Sequence, residues 1–360
     1  MRNILAALAI LALPAAAASA GTEPVNVLTR APATRADAIG GAATALGRDA
    51  GLVWLNPAAP AFTTNSSLTL AGQRGFFGEV LGQGLLTSPF TGGVLAFGIM
   101  YYDAGTAALY TSDGTPRKLD VQQDFMGSLT WSRAFSPALA VGVTLKGLNS
   151  ILFGENTSAA FASDAGAQFR INDCLKVGVA LRNIGTQLQY HEDRISLPSS
   201  FRAGAMLGTW VGKRDALLLT SDAETPLRGG EVTWCAGAEY QWHGMVSLRA
   251  GAHILPGTEL GRWTAGAGIV FRQYRLDYGV QFGGGFDAPH TLSLTMVFPR
   301  FIQSVTVPAV RPAGTLPPPA EMPTPGENEL LLPETTPGPG SGGVGDDLNR
   351  ELDELMKNKK

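Results

Sequence analysis

The chain has 360 residues, of which 45 are Gly, with charged residues at only 16% and a formal net charge of −3. A slight negative charge argues against nucleic acid as a partner. Charge this sparse falls well below the usage of an ordinary soluble domain, which argues against a soluble secreted enzyme.

At the N-terminus, Arg2 precedes an apolar run from Ile4 to Leu13, then Pro14 and a small-residue stretch ending Ala18-Ser19-Ala20. This is the pattern of a secretory signal peptide over residues 1–20, cut before Gly21. The run is too short to cross a bilayer. No Cys follows the cleavage point to take a lipid anchor, and no later stretch has helix-spanning length. An exported chain without transmembrane helices is expected.

Residues 21–66 read as a hatch or plug segment, with a short Ala- and Gly-rich helical stretch near Arg35–Leu46. Asp49, Trp54, Asn56, Pro57 and Ala58 follow. Pro57 disfavours helical geometry at Asn56. Asn in turn favours local side-chain to backbone bonds, so a turn is expected there. The segment is too apolar for a disordered leader.

From residue 67 to 298 the chain reads as about fourteen alternating segments. They run 67–75, 78–88, 93–104, 122–135, 138–152, 158–171 and 175–187, then 198–211, 213–223, 230–242, 245–254, 259–271, 274–283 and 290–298. The last is the clearest: Leu292, Leu294, Met296 and Phe298 fall on one face, Thr291, Ser293, Thr295 and Val297 on the other. Strict alternation marks a strand with different solvents on its two sides. The fold class is therefore all-β: a transmembrane antiparallel β-barrel of about fourteen strands, with an N-terminal hatch, in the bacterial outer membrane.

The connections support this. Ser136-Pro137, Asn172-Asp173-Cys174, Gly212-Lys213, His243-Gly244 and Arg272-Gln273 are tight. Longer connections lie between them, including Gly105–Val121, Gln189–Leu197, Glu224–Gly229 and Gly284–Pro289. Short turns on one side and long loops on the other is the outer-membrane arrangement, with the short turns periplasmic. Trp131, Phe135, Trp242, Phe271 and Tyr274 sit beside the short turns, where an aromatic girdle belongs.

Gly40-Gly-Ala-Ala-Thr-Ala-Leu-Gly-Arg-Asp49, followed by Trp54-Leu-Asn56-Pro57-Ala58, resembles the N-terminal signature of the PorV/PorQ family, itself grouped with the FadL-like fourteen-stranded barrels. The chain departs at Arg48, where an acidic residue is usual, and at Ala59, where Gly is common. The resemblance covers about residues 36–298, its tight motif only some twenty of them. It implies either work with a type IX secretion system, receiving secreted proteins, or passage of hydrophobic small molecules through a barrel that holds its N-terminal segment inside. A third reading is a structural barrel with a periplasmic tether.

Charge on the lipid face is costly, so charged strand residues are expected inside. The candidate lumen lining is Lys146, Arg182, Arg202, Arg249, Arg262 and Arg275, against which Asn56-Pro57 would lie. This mostly basic set suits an anion or an amphiphile's carboxylate. Alternatively the cations pair with Asp164, Glu239 and Asp277 and hold the lumen together.

Residues 299–345 are rich in Pro and read as an extended periplasmic spacer. Residues 346–360 read as a short amphipathic helix, with Leu348, Leu352, Leu355 and Met356 on one face, that could dock a periplasmic partner. The four His residues lack metal-ligand spacing, and no phosphate loop, dinucleotide fingerprint or nucleophile elbow is present. No cofactor, metal site or catalytic residue is expected. Cys174 in a turn and Cys235 in mid-strand are not expected to bond.

Overall fold

The structure, a computed structural model, describes residues 26–298 except 30–32, 76–77, 111–115, 192, 213, 255–261 and 284–287. The expected signal peptide, the expected spacer over 299–345 and the expected helix over 346–360 lie outside the described residues.

Among the described residues, eighteen strands follow two short helices, α1 (Asn26–Thr29) and α2 (Thr34–Ala38), and two 3-10 turns, Ala50–Trp54 and Ala59–Phe62. The strands begin with β1 (Ser66–Arg74), β2 (Val80–Phe90), β3 (Gly93–Asp103), β4 (Thr106–Tyr110), β5 (Pro116–Asp120) and β6 (Gln122–Ala134). They continue with β7 (Leu139–Leu152), β8 (Asn156–Arg170), β9 (Leu175–Gly185), β10 (Gln187–Tyr190), β11 (Asp193–Ser196) and β12 (Ser200–Val211). The last six are β13 (Asp215–Pro226), β14 (Thr233–Trp242), β15 (Val246–Ile254), β16 (Arg262–Phe271), β17 (Tyr274–Phe282) and β18 (His290–Phe298).

Fourteen of them close into one antiparallel barrel in chain order, with β18 hydrogen-bonded back to β1 from Phe298 opposite Ser66 to His290 opposite Arg74. Closure removes every sheet edge, the only way a sheet can sit in hydrocarbon. All fourteen expected segments are present, with ends displaced by at most three residues.

Three features differ from expectation. The loops between β3 and β6 and between β9 and β12 each carry a hairpin, β4–β5 and β10–β11. The β7–β8 connection is tight although it lies on the long-loop side: three residues, 153–155, join Leu152 to its partner Asn156, with Phe153 and Gly154 both at positive φ, 53° and 71°. The helix expected near Arg35–Leu46 ends at Ala38, because Gly40 and Gly41 turn left-handed at φ 70° and 82°.

Alternation decides the two faces. On β18, Thr291, Ser293 and Thr295 are buried inside while Leu292 is 52% exposed outside. The outer wall carries an apolar belt that includes Phe97, Phe125, Leu145, Phe161, Trp263 and Leu276. Phe135, Trp242, Phe271 and Tyr274 are exposed beside the short turns, and Trp131 donates its indole N–H to Gly92 O at 3.2 Å. Cys174 is exposed in its turn and Cys235 buried in the lumen, both as free thiols.

Candidate functional site

The lumen holds the segment that precedes β1, and the wall is shaped for it. At the level of the hatch, glycines stand opposite each other on neighbouring strands: Gly142 with Gly166, Gly178 with Gly204, Gly237 with Gly251, and Gly266 with Gly279. Each pair meets hatch atoms where a Cβ would otherwise sit. Asn56 and Pro57 lie on the first pair, Thr44 on the second, Ile39 on the third and Ala38 on the fourth. Gly98 makes the same allowance for the Trp54 indole. Gly in a strand interior often marks a close approach of another backbone, and here it repeats around half the barrel.

Polar bonds fasten the hatch along this track. Asn56 is fully buried; its Nδ2 donates to Thr44 O at 2.8 Å and Ala167 O at 3.2 Å, and its Oδ1 accepts from Ala58 N at 3.0 Å. Pro57 O accepts from Ser132 Oγ at 2.6 Å. Asp222 Oδ2 accepts from Ala43 N and Thr44 N, both at 2.9 Å, and from Thr44 Oγ1 at 2.7 Å. The expected contact of Asn56-Pro57 with the basic lumen residues is therefore replaced by contacts with glycines and backbone carbonyls. The bend at Pro57 sits on Gly142 and Gly166 with the small Ser132 beside it, so long cations could not lie flat beneath it.

The cations are held elsewhere. Arg35 pairs with Glu239 at 2.8 Å and Glu239 with Arg249 at 3.1 Å. Arg249 pairs with Asp277 at 2.7 Å and Asp277 with Arg275 at 2.8 Å. Arg275 then pairs with Asp49 at 2.9 Å, and Asp49 returns to Arg35 at 3.3 Å. This is a closed six-membered ring of alternating charge. The hatch supplies Arg35 and Asp49, and the wall supplies the other four. Asp49 also caps the first 3-10 turn, its Oδ1 accepting from Gly51 N at 3.0 Å.

Two further clusters line the wall. Arg202 pairs with Asp222 and Glu224, each at 3.1 Å, and Arg182 with Glu224 at 3.1 Å. Lys146 pairs with Asp164 at 2.6 Å and donates to Asn183 Oδ1 at 2.8 Å. Asn183, at φ 57°, occupies the register shift between β8 and β9, where its N–H donates to Asp164 Oδ1 at 2.7 Å. With each of these cations held by carboxylates, the lumen at this depth offers no free cationic lining from Lys146, Arg182, Arg202, Arg249 or Arg275. Arg262 is half-buried and lines the cavity above the hatch.

Arg35, Asp222 and Glu224 were missed as lumen residues in the sequence. Asp222 and Glu224 sit two apart on the inward face of β13, the same signal that marks Glu239; ending that strand at 223 leaves Glu224 in a loop. Arg35 carries no local signal, because its partner is 204 residues away.

On the long-loop side, a cavity of about 640 Å³ opens above the hatch. Leu28, Ala36, Asp37 and Gly40 form its floor, and Arg182, Arg202, Glu224, His253 and Arg262 stand in its walls. Beside it the β10–β11 loop turns inward. Leu188 and Leu197 are buried in one apolar cluster with Val27 and Leu28 of the hatch and Met100 and Met126 of the wall. The apolar cluster thus packs toward β2–β8, where Lys146 and Asp164 form a buried ion pair, while the larger ionic clusters lie toward β12–β18.

A closed barrel with a greasy exterior and a charged, hydrogen-bonded interior suits only a membrane. The chain is a fourteen-stranded outer-membrane β-barrel. Among solved structures, the barrel resembles the CymD monoaromatic hydrocarbon channel at 13% identity, over 74% of this chain and 97% of that one, with a TM-score of 0.55. It resembles the P. putida toluene transporter TodX at 11% identity, over 74% and 98%, with a TM-score of 0.52. A TodX deltaS2 mutant matches at 12% identity, over 73% and 96%, with a TM-score of 0.51. At these identities the likeness concerns the fold. No protein-family model matches the chain, and no curated protein does.

For the barrel, a charge placed on the outer belt tests the assignment of faces. Leu276→Lys, at an outward position of β17, is expected to destabilise by roughly 2–4 kcal/mol when unfolding is followed in lipid vesicles. Its inward neighbours Arg275 and Asp277 already carry charge at no such cost.

Proposed function

We propose that the barrel is an outer-membrane channel for hydrophobic small molecules, which enter from the cell surface and pass on when the hatch shifts. One observation carries the reading: the surface-side cavity of about 640 Å³ is bounded below by the hatch. A water-filled sieve has no use for such a floor. A cavity of this size suits a molecule of drug-like dimensions or smaller. Leu28, Leu55, Leu197 and Pro198 contribute apolar lining, while the adjoining cluster offers an apolar path past Val27. The printed descriptions of the similar structures, a monoaromatic hydrocarbon channel and a toluene transporter, point the same way. They favour this reading over the secretion role that the N-terminal resemblance implies. The hydrogen-bonded wall is closed all round, so passage requires a displacement of hatch or loop.

Placing the protein in a heterologous outer membrane and following radiolabelled toluene tests this. Uptake is expected to rise several-fold over cells without it, with no rise for a polar sugar of similar size. Equal uptake of toluene in both strains overturns the proposal.

A further inference from the structure

Most carboxylates inside the barrel are held by a cation. Asp49, Glu239 and Asp277 belong to the charge ring, Asp222 and Glu224 pair with Arg202, and Asp164 pairs with Lys146. Asp124 has no such cation among the described residues. Instead, Gln122 Nε2 donates to its two oxygens at 3.1 and 2.9 Å, and Ser150 Oγ donates as well. Asp37 has less support than any of these. Its Oδ2 is buried without a hydrogen-bond partner. Among the described residues, the Thr291 hydroxyl bonds its carboxyl and no cation acts on it.

This carboxyl stands at the cavity above the hatch. Asp37 is on α2, in the cavity lining with Leu28, Ala36 and Leu55. Helix capping does not occupy it: the N-cap of α2 is Ala33, and no side chain caps the helix. Thr264, also in the lining, spends its hydroxyl on Ala38 O at 3.1 Å. Asp37 is half-buried, so part of its side chain faces the open volume. The last torsion of an Asp side chain is soft, and a turn about it presents the unpartnered oxygen to a ligand. A buried acceptor left without a donor costs free energy that a bound donor recovers.

We propose that the cavity selects hydrophobic molecules carrying one neutral hydroxyl, a phenol or an alcohol, which Asp37 receives at the floor. The proposal rests on the reading of the barrel as a channel for hydrophobic small molecules, and narrows it. A permanently charged amine or carboxylate would have to leave water to pass the apolar cluster at Val27 and Leu28, at a high desolvation cost. A ketone or ether offers only acceptors, as an ionised carboxylate does, so the two cannot bond. A hydroxyl donates to the ionised carboxylate and accepts from the protonated acid, and so fits both states. A site built to bond a hydroxyl also rejects the analogue lacking it far more strongly than an apolar pocket rejects a missing methylene.

The test uses the full-length protein in detergent, with protein-free micelles as the blank. The probes p-cresol and p-xylene have nearly the same shape and differ by a hydroxyl in place of a methyl. Both are titrated calorimetrically, and the ratio of their affinities is compared between wild type and variants. In Asp37→Leu the ratio is expected to shift about tenfold toward p-xylene. Asp37→Asn, which keeps an acceptor oxygen, is expected to retain most of the wild-type preference. Thr233→Val, which makes the same lining more apolar at another place, is expected to leave the ratio unchanged. Should Asp37→Leu fail to fold, Asp37→Ala takes its place in the comparison. An unchanged ratio on removal of the carboxyl, an equal shift in Thr233→Val, or no binding of p-cresol by wild type overturns the proposal. Toluene has no hydroxyl, so its uptake tests the channel reading alone and the two proposals fail separately.

Discussion

Arg35→Met is expected to destabilise the union of hatch and wall by about 3–5 kcal/mol, the cost of leaving a buried charge without its partner. Asp49→Leu is expected to cost about as much, for the same reason. Removing both together is expected to cost clearly less than the sum, by about 2 kcal/mol or more. The physical reason lies in the ring. Arg35 and Asp49 are opposite charges already 3.3 Å apart, and their loss leaves Arg275, Asp277, Arg249 and Glu239 as a neutral chain with internal pairs of 2.8, 2.7 and 3.1 Å. A single removal leaves an imbalance of one charge in a site that water barely reaches. Denaturant unfolding in detergent, with protease sensitivity of the hatch as a second readout, measures the cycle. Strict additivity of the two substitutions would show that the ring does not act as a unit.

The second large effect concerns the glycine track. Gly251→Val puts a branched side chain where the wall touches the Ile39 carbonyl carbon and the Gly40 nitrogen, both backbone atoms. Backbone cannot swing aside as the end of a side chain can, so the hatch must lift. Overpacking of this kind costs about 1–3 kcal/mol when the structure can relax. The expected result is a barrel that still assembles but whose hatch becomes sensitive to protease, with steady conductance in planar bilayers well above wild type. Ala250→Val, one residue away on the outward face, is the control and is expected to change neither property. An unchanged, protease-resistant hatch in Gly251→Val would contradict the packing described.

The barrel was legible because each of its signals is local. Alternation on β18 needs nine residues, and the tight turns at His243-Gly244 and Arg272-Gln273 need only a few more. Charged residues at inward parity, such as Glu239 and Asp277, follow from the same period of two. The interior was less legible. Asn56-Pro57 reads as a turn in the sequence, but nothing near it says that the turn rests on Gly142 and Gly166, more than 80 residues away. The track of glycines could have been suspected by asking which inward positions lack a side chain. Its alignment with particular hatch residues could not.

Short-range chemistry, then, was enough for this chain to declare a strand count, an inside and an outside. Which cation meets which carboxylate required the closed barrel. Arg35 reaches Glu239 and Asp49 reaches Arg275 only after the wall has curved round and the hatch has entered it. Strand period is a property of neighbours along the chain, whereas a charge ring and a seated plug belong to distances between remote residues, and those distances exist only once the cylinder is complete.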